Sequence, residues 1–387
     1  MIRCASLHTY ELDDPATAAA ELNAQLAAKL ELLENTVAVL LCHQEFCAGD
    51  YLEQICRTLP FDVAGVTTAA QCVNDGGGDQ VLTLLVMTAD DVVFKTGVTD
   101  CLLEDVSVPT REAYAQASAG MDGLPALALI FPPLILKYGG DIYTEAWDEL
   151  LPGVPVFGTI AIDDTLRFDE SETVFCGKHY FTCMSFILCY GNLRPRFLVG
   201  TLPSTSLMPY QGEITSSDGP LVHTINHITP YDFYEELGLG HDSRQHLLMP
   251  VMLDLKKRAN YDSIPVVRTL AAFNKDKTAI FRGYMDKNAI LTISKCTEED
   301  VLSATREQAK SLCALEDVHG VLTFSCIIRR MVSGNAQSQE ITEYSQNMRR
   351  NVPYMLGYAG GEICPTSMKD GAAANRFHNQ TLISLIL

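Results

Sequence analysis

Three stretches of the chain repeat one succession of apolar and polar positions. Each begins with an apolar run: TVAVLLCHQ from Thr36, PALALIFPP from Pro125 and VLTFSCIIRR from Val321. Later comes a proline-led run holding one glycine at a matching place: LPFDVAGVTTAAQCV with Gly65, LPGVPVFGTIAIDDT with Gly158 and NVPYMLGYAGGEICP with Gly357. A third run closes each stretch: QVLTLLVM, FTCMSFILCY and TLISLIL. These runs read as apolar strands that belong in a core.

Between the first two runs the period changes to that of a helix. Tyr51, Leu52 and Ile55 share one face, as do Ile142, Ala146 and Leu150, and Ile341, Tyr344 and Met348. A further helix precedes each stretch. The first has Asp14 as N-cap, Pro15 at the first helical position and Leu22, Leu26, Leu30 and Leu33 along one stripe. The last opens with Thr297 and Asp300 in capping-box spacing; the middle one is PTREAYAQASAG. The order predicts an α/β (α+β) fold of mixed sheets covered by helices, built from three repeated strand-helix-strand-strand units in two halves. Residues 197–234 are rich in Pro, Ser and Gly and read as a crossover between the halves, with further strands in IPVVRTLAAF, TAIFRGYM and AILTISK.

The chain has 387 residues, of which 47% are apolar and 20% charged, enough for a well-filled core in one large or two ordinary domains. Its net charge of -20 repels a phosphate backbone or an anionic membrane surface, so no nucleic-acid or membrane partner is expected. The longest apolar run, residues 124–136, is broken by three prolines and is too short to cross a bilayer. No signal-peptide pattern opens the chain, and its 13 cysteines sit mostly in apolar strands without a Cys-x-x-Cys. A cytoplasmic protein with reduced thiols, no metal and no cofactor is the expectation. The run of Cys42, His43 and Cys47 raises thiolate chemistry, but neighbours in a strand point to opposite faces, which separates Cys42 from His43.

The sequence resembles the FIST family in ITPYDFYEELG (residues 228–238), VVRTLAAFNKDKTAIFRGYM (266–285), GVLTFSCIIRR (320–330), GYAGGEICP (357–365) and HNQTLISLIL (378–387). GVTTAAQ (65–71) and VPVFGTIAIDD (154–164) are similar in order and position. The resemblance implies an N-terminal FIST domain over 1–200 with two copies of the unit, a linker over 201–234, and a C-terminal FIST domain over 235–387 with the third. It also implies a cytoplasmic sensory protein that takes a small-molecule ligand, amino acids among the candidates. Its signal would pass to a separate signalling protein such as a kinase or receptor.

The glycines after the last core strand let main chain approach a ligand without a Cβ in the way. The expected ligand site is therefore Gly357, Tyr358, Gly360, Gly361 and Glu362, joined by His378, Asn379 and Gln380 at the start of the closing strand. Glu362 would accept from an ammonium, and Arg329, or its neighbour Arg330, would fork onto a carboxylate. The same residues also suit a sheet bend, a buried polar brace and surface ion pairs. Cys326 is the candidate nucleophile, although its apolar neighbours argue for an inert thiol. Two rivals to a sensor stay open: a cysteine-dependent enzyme of amino-acid or thiol metabolism using Cys326, and a ligand-free scaffold for a signalling protein.

Overall fold

The computed structural model describes residues 2–165, 167–239, 243–254, 265–334, 338–348, 351–369 and 371–387. These form a mixed α+β fold of four sheets, three with six strands and one with seven. The first sheet runs Arg3–Thr9, Leu82–Ala89, Asn35–Cys42, Asp62–Thr67, Thr173–Phe175, Lys178–Tyr180. The second runs Val92–Val98, Ser185–Gly191, Leu127–Phe131, Val156–Thr159, Glu362–Lys369, Ala372–His378. The third runs Arg196–Gly200, Leu382–Ile386, Val321–Cys326, Tyr354–Ala359, Gln71–Val73, Gly76–Gly78.

In each of these sheets the third and fourth strands are parallel and every other neighbouring pair is antiparallel. A parallel pair needs a crossover, and the predicted helices supply it: Tyr51–Cys56, Asp141–Leu150, and Ile327–Val332 with Gln339–Asn347. The terminal hairpin of each sheet comes from a different stretch of chain. Residues 71–78 complete the third sheet, 173–180 the first and 362–378 the second.

Alternation sorts these strands between two environments. Val39, Leu41, Leu129, Phe131, Phe324 and Leu385 point into one core shared by the three sheets. Their neighbours face helices: Leu40 meets Leu22 and Leu52, Ile130 meets Trp147, and Val321 meets Leu312 and Tyr344. The first helix is Pro15–Lys29, capped by the Asp14 side chain, and it stops at the extended Leu30, so the predicted stripe loses Leu30 and Leu33. Thr297 and Asp300 form the expected capping box of Glu298–Ala314.

The seven-stranded sheet runs Val266–Arg268, Val251–Asp254, Ile290–Ser294, Leu207–Asp218, Leu221–Ile225, Ala279–Phe281, Leu270–Phe273. Much of the span read as a crossover is thus regular structure: the strands Leu207–Asp218 and Leu221–Ile225 and the helix Pro230–Glu236. A second difference concerns VLTFSCIIRR. The strand ends at Cys326, whose N–H bonds the Thr381 carbonyl, and Ile327–Val332 is helical. Leu382 is the last residue of the antiparallel partner to pair, opposite Ser325, so no ladder exists for Ile327 onward to join.

Candidate functional site

The edge of the seven-stranded sheet faces the strand ends of the second and third six-stranded sheets across a cavity of about 800 Å³. That volume lies within the usual range for small-molecule sites. Its walls are largely apolar, with Ile160, Ile162, Leu247, Ile327, Ile328 and Phe377 among them. Charge enters at three places: Lys137 from the loop before Asp141–Leu150, Asp218 from a hairpin turn, and Arg282 from the end of Ala279–Phe281.

Arg282 is set by main chain, its N–H donating to the Thr269 carbonyl at 2.8 Å. The guanidinium is open to the cavity yet surrounded by enough protein that burial lowers its pKa. Among the described residues it has neither a hydrogen bond nor an ion pair. Arginine carries five donors in a planar fork, and a fork open to a cavity can take up an incoming anion.

Arg268 forms the contrasting case beneath the cavity. Its Nη2 lies 2.7 Å from Asp141 Oδ1, while Nη1 donates to the Phe377 carbonyl at 2.9 Å and Nε to the Tyr284 carbonyl at 3.1 Å. Asp141 Oδ2 accepts the Tyr284 N–H at 2.7 Å. Both side chains are buried. This network joins the seven-stranded sheet, a helix start and the C-terminal hairpin, and it holds Tyr284 and Phe377, two wall residues, in place.

Of the residues expected at the site, Gly360 and Asn379 line the cavity. An added Cβ at Gly360 would stand 2.8 Å from the Ala161 carbonyl oxygen, so only glycine lets these two chain segments pass. Asn379 accepts the Thr269 N–H at 3.4 Å and donates to the His378 carbonyl at 3.1 Å. Gly361 completes the turn. Gln380, at φ 51°, donates to the Leu247 carbonyl at 2.6 Å and so holds a wall helix. His378 pairs opposite Glu362 in the strand register, and both are buried away from the cavity.

Glu362 does not serve as an open amine acceptor. It is fully buried, accepts from Thr381 at 2.8 Å, and burial pushes its pKa up to about 8, which keeps it largely protonated at neutral pH. Gly357 and Tyr358 lie inside the strand Tyr354–Ala359. The glycine there makes room for Leu41, whose Cδ1 would be 2.5 Å from a Cβ. Arg329 is likewise committed elsewhere: it is buried, 2.7 Å from Glu340, and also bonds Thr305 and the Val301 carbonyl. Arg330 bonds the Ala69 carbonyl and sits 3.2 Å from Asp79. Burial and the neighbouring Glu362 raise the Cys326 thiol well above its ordinary pKa, so it stays protonated and is a poor nucleophile.

Residues 36–228 match the FIST N domain, and residues 230–365 match the FIST C domain. The chain belongs to the FIST family. FIST domains are sensory domains of signal transduction. Among curated proteins none matches the chain. In this FIST protein both matched segments build the cavity, the first through Lys137, Ile160 and Asp218 and the second through Arg282, Ile327 and Gly360. Phe377 and Asn379 lie beyond the second match. No helix among the described residues is long and apolar enough to cross a membrane.

Sequence reading missed Arg282, Asp218, Arg268 and Asp141. The signal for Arg282 was present in TAIFRGYM, where one arginine interrupts an apolar strand just before a glycine. For Arg268 and Asp141, which meet across 127 positions, the sequence carried none.

Proposed function

We propose that this FIST protein is a cytoplasmic sensor whose small-molecule ligand, a free amino acid or a close analogue, occupies the cavity and whose output passes to a separate signalling protein. The observation that carries the reading is the Arg282 guanidinium, without a partner among the described residues, standing in a largely apolar chamber of about 800 Å³. A carboxylate would lie in the Arg282 fork, an ammonium would face Asp218, and an apolar side chain would fill the space between Ile162, Ile328 and Phe377. The anchors thus differ from Arg329 and Glu362, but the chemistry of recognition is the same. A reducing compartment accords with 13 cysteines that are all free. The common strand order of the three six-stranded sheets supports an origin in three like-built units.

Thermal shift against a panel of free amino acids and their decarboxylated amines tests this. A ligand at a hundredfold excess over its Kd stabilises by about 2.7 kcal/mol. The expected result is a rise with one or a few amino acids, none with the matching amines, and loss of the rise in Arg282→Ala. A panel without any rise, or a rise that survives Arg282→Ala, overturns the reading.

A further inference from the structure

The geometry points to a zinc site at the edge of the first sheet, with Cys47, Glu172 and His179 as ligands and Cys42 placed to complete a tetrahedron. One ligand atom from each of the first three lies within 4.8 Å of the others. Tetrahedral zinc holds its ligand atoms roughly 3.3–3.8 Å apart, so small side-chain shifts suffice. Cys42 packs in the same buried cluster as Cys47. Sulfur, imidazole and carboxylate together form a donor set that suits zinc.

The fold builds this cluster from two distant pieces. Cys42 ends the strand Asn35–Cys42, and Cys47 ends the short turn Gln44–Cys47. Strand alternation turns His43 the other way, where its Nε2 lies 3.1 Å from Asp164. Glu172 and His179 arrive on the hairpin supplied by the second stretch. Val174 pairs with His179, and Glu172 lies two positions before Val174, so all three side chains share one sheet face. The Glu172 main chain is fixed at both ends, donating to Thr67 Oγ1 at 2.9 Å and accepting the Thr67 N–H at 2.9 Å.

Both ring nitrogens of His179 have partners that fix its orientation. Its Nδ1 stands 2.5 Å from Glu172 Oε2, and its Nε2 faces the Gly49 carbonyl at 3.4 Å. A neutral imidazole has one N–H for these two acceptors. With the N–H on Nε2 directed at Gly49, the Nδ1 lone pair faces the carboxylate, and the two groups, now at hydrogen-bond distance, would part by roughly 1 Å to admit an ion between them. An outer carbonyl that orients a metal-binding histidine is the usual supporting arrangement. On binding, each coordinating thiol forms a sulfur–zinc bond and releases its proton to solvent. The bound ion would tie the borrowed hairpin to the turn Gln44–Cys47, one strand beyond Asp62–Thr67, with which the hairpin pairs.

The test uses the full chain, reduced and stripped of metal by a chelator. Zinc is then titrated in competition with a chromophoric chelator, and cobalt is added separately to read the sulfur-to-cobalt band in the near ultraviolet. Expected are one equivalent of zinc and a cobalt band. His179→Ala and Cys47→Ser should weaken zinc by more than the roughly 10–100-fold typical for loss of an outer partner. Cys101→Ser, which removes an exposed thiol, should bind like the parent. His179 is partly exposed, so its alanine variant keeps the fold, with circular dichroism as the check. Failure of the parent to compete for zinc, unchanged affinity in His179→Ala, or equal loss in Cys101→Ser overturns the site.

Discussion

Arg268 and Arg282 belong to one sheet and stand in opposite circumstances. Arg268 is buried and spends its donors on Asp141 and on the carbonyls of Val267, Tyr284 and Phe377. Arg282, just past the strand Ala279–Phe281, gives none of its side-chain donors to the described residues. A saturated arginine holds a wall, whereas an unsaturated one in a cavity is available to a guest. Charge alone would not separate the two roles; burial and the hydrogen-bond partners do.

The comparison can be broken by mutation. Asp141→Ala strands a buried guanidinium and should cost about 3–5 kcal/mol in denaturant unfolding. A value under 1 kcal/mol would make Arg268 no more structural than Arg282. Next comes Gly360→Ala, whose methyl meets the Ala161 carbonyl, with an expected loss of about 1–3 kcal/mol and a weaker ligand response. Glu362→Gln tests a pH effect. Because the folded pKa, about 8, lies above the ordinary 4.5, the native state binds the extra proton between those values. Stability should therefore be full below pH 4.5 and fall as pH rises toward 8, by up to about 1.4 kcal/mol per pH unit relative to Glu362→Gln. Parallel curves for the two proteins would show that Glu362 ionises normally. Smallest is Arg282→Ala, whose stability should stay within about 0.5 kcal/mol of the parent while ligand stabilisation disappears.

Much of the fold was legible because its strands are buried on both faces and its helices carry clear stripes. Asp14, Thr297 and Asp300 mark helix starts by local chemistry, and that chemistry acts within a few residues. The borrowed hairpins were not legible. Strands such as Gln71–Val73 and Lys178–Tyr180 have three residues each, and nothing in so short a run specifies a distant partner. The site was half legible. Glycine at 360 announces close chain passage, and Asn379 reaches the cavity, but neighbours in sequence such as Glu362 and His378 face another way. Arg329 misled because its helix was read as a continuing strand, and inside that helix it meets Glu340.

The exchange of hairpins has a practical corollary for dissection of the protein. A fragment ending at residue 365, where the second domain match stops, would strip a margin from the second sheet and an interior strand, Leu382–Ile386, from the third. Neither half of the polypeptide holds a full set of its own strands, so excised pieces should precipitate or stay unfolded alone, and regain shape when mixed.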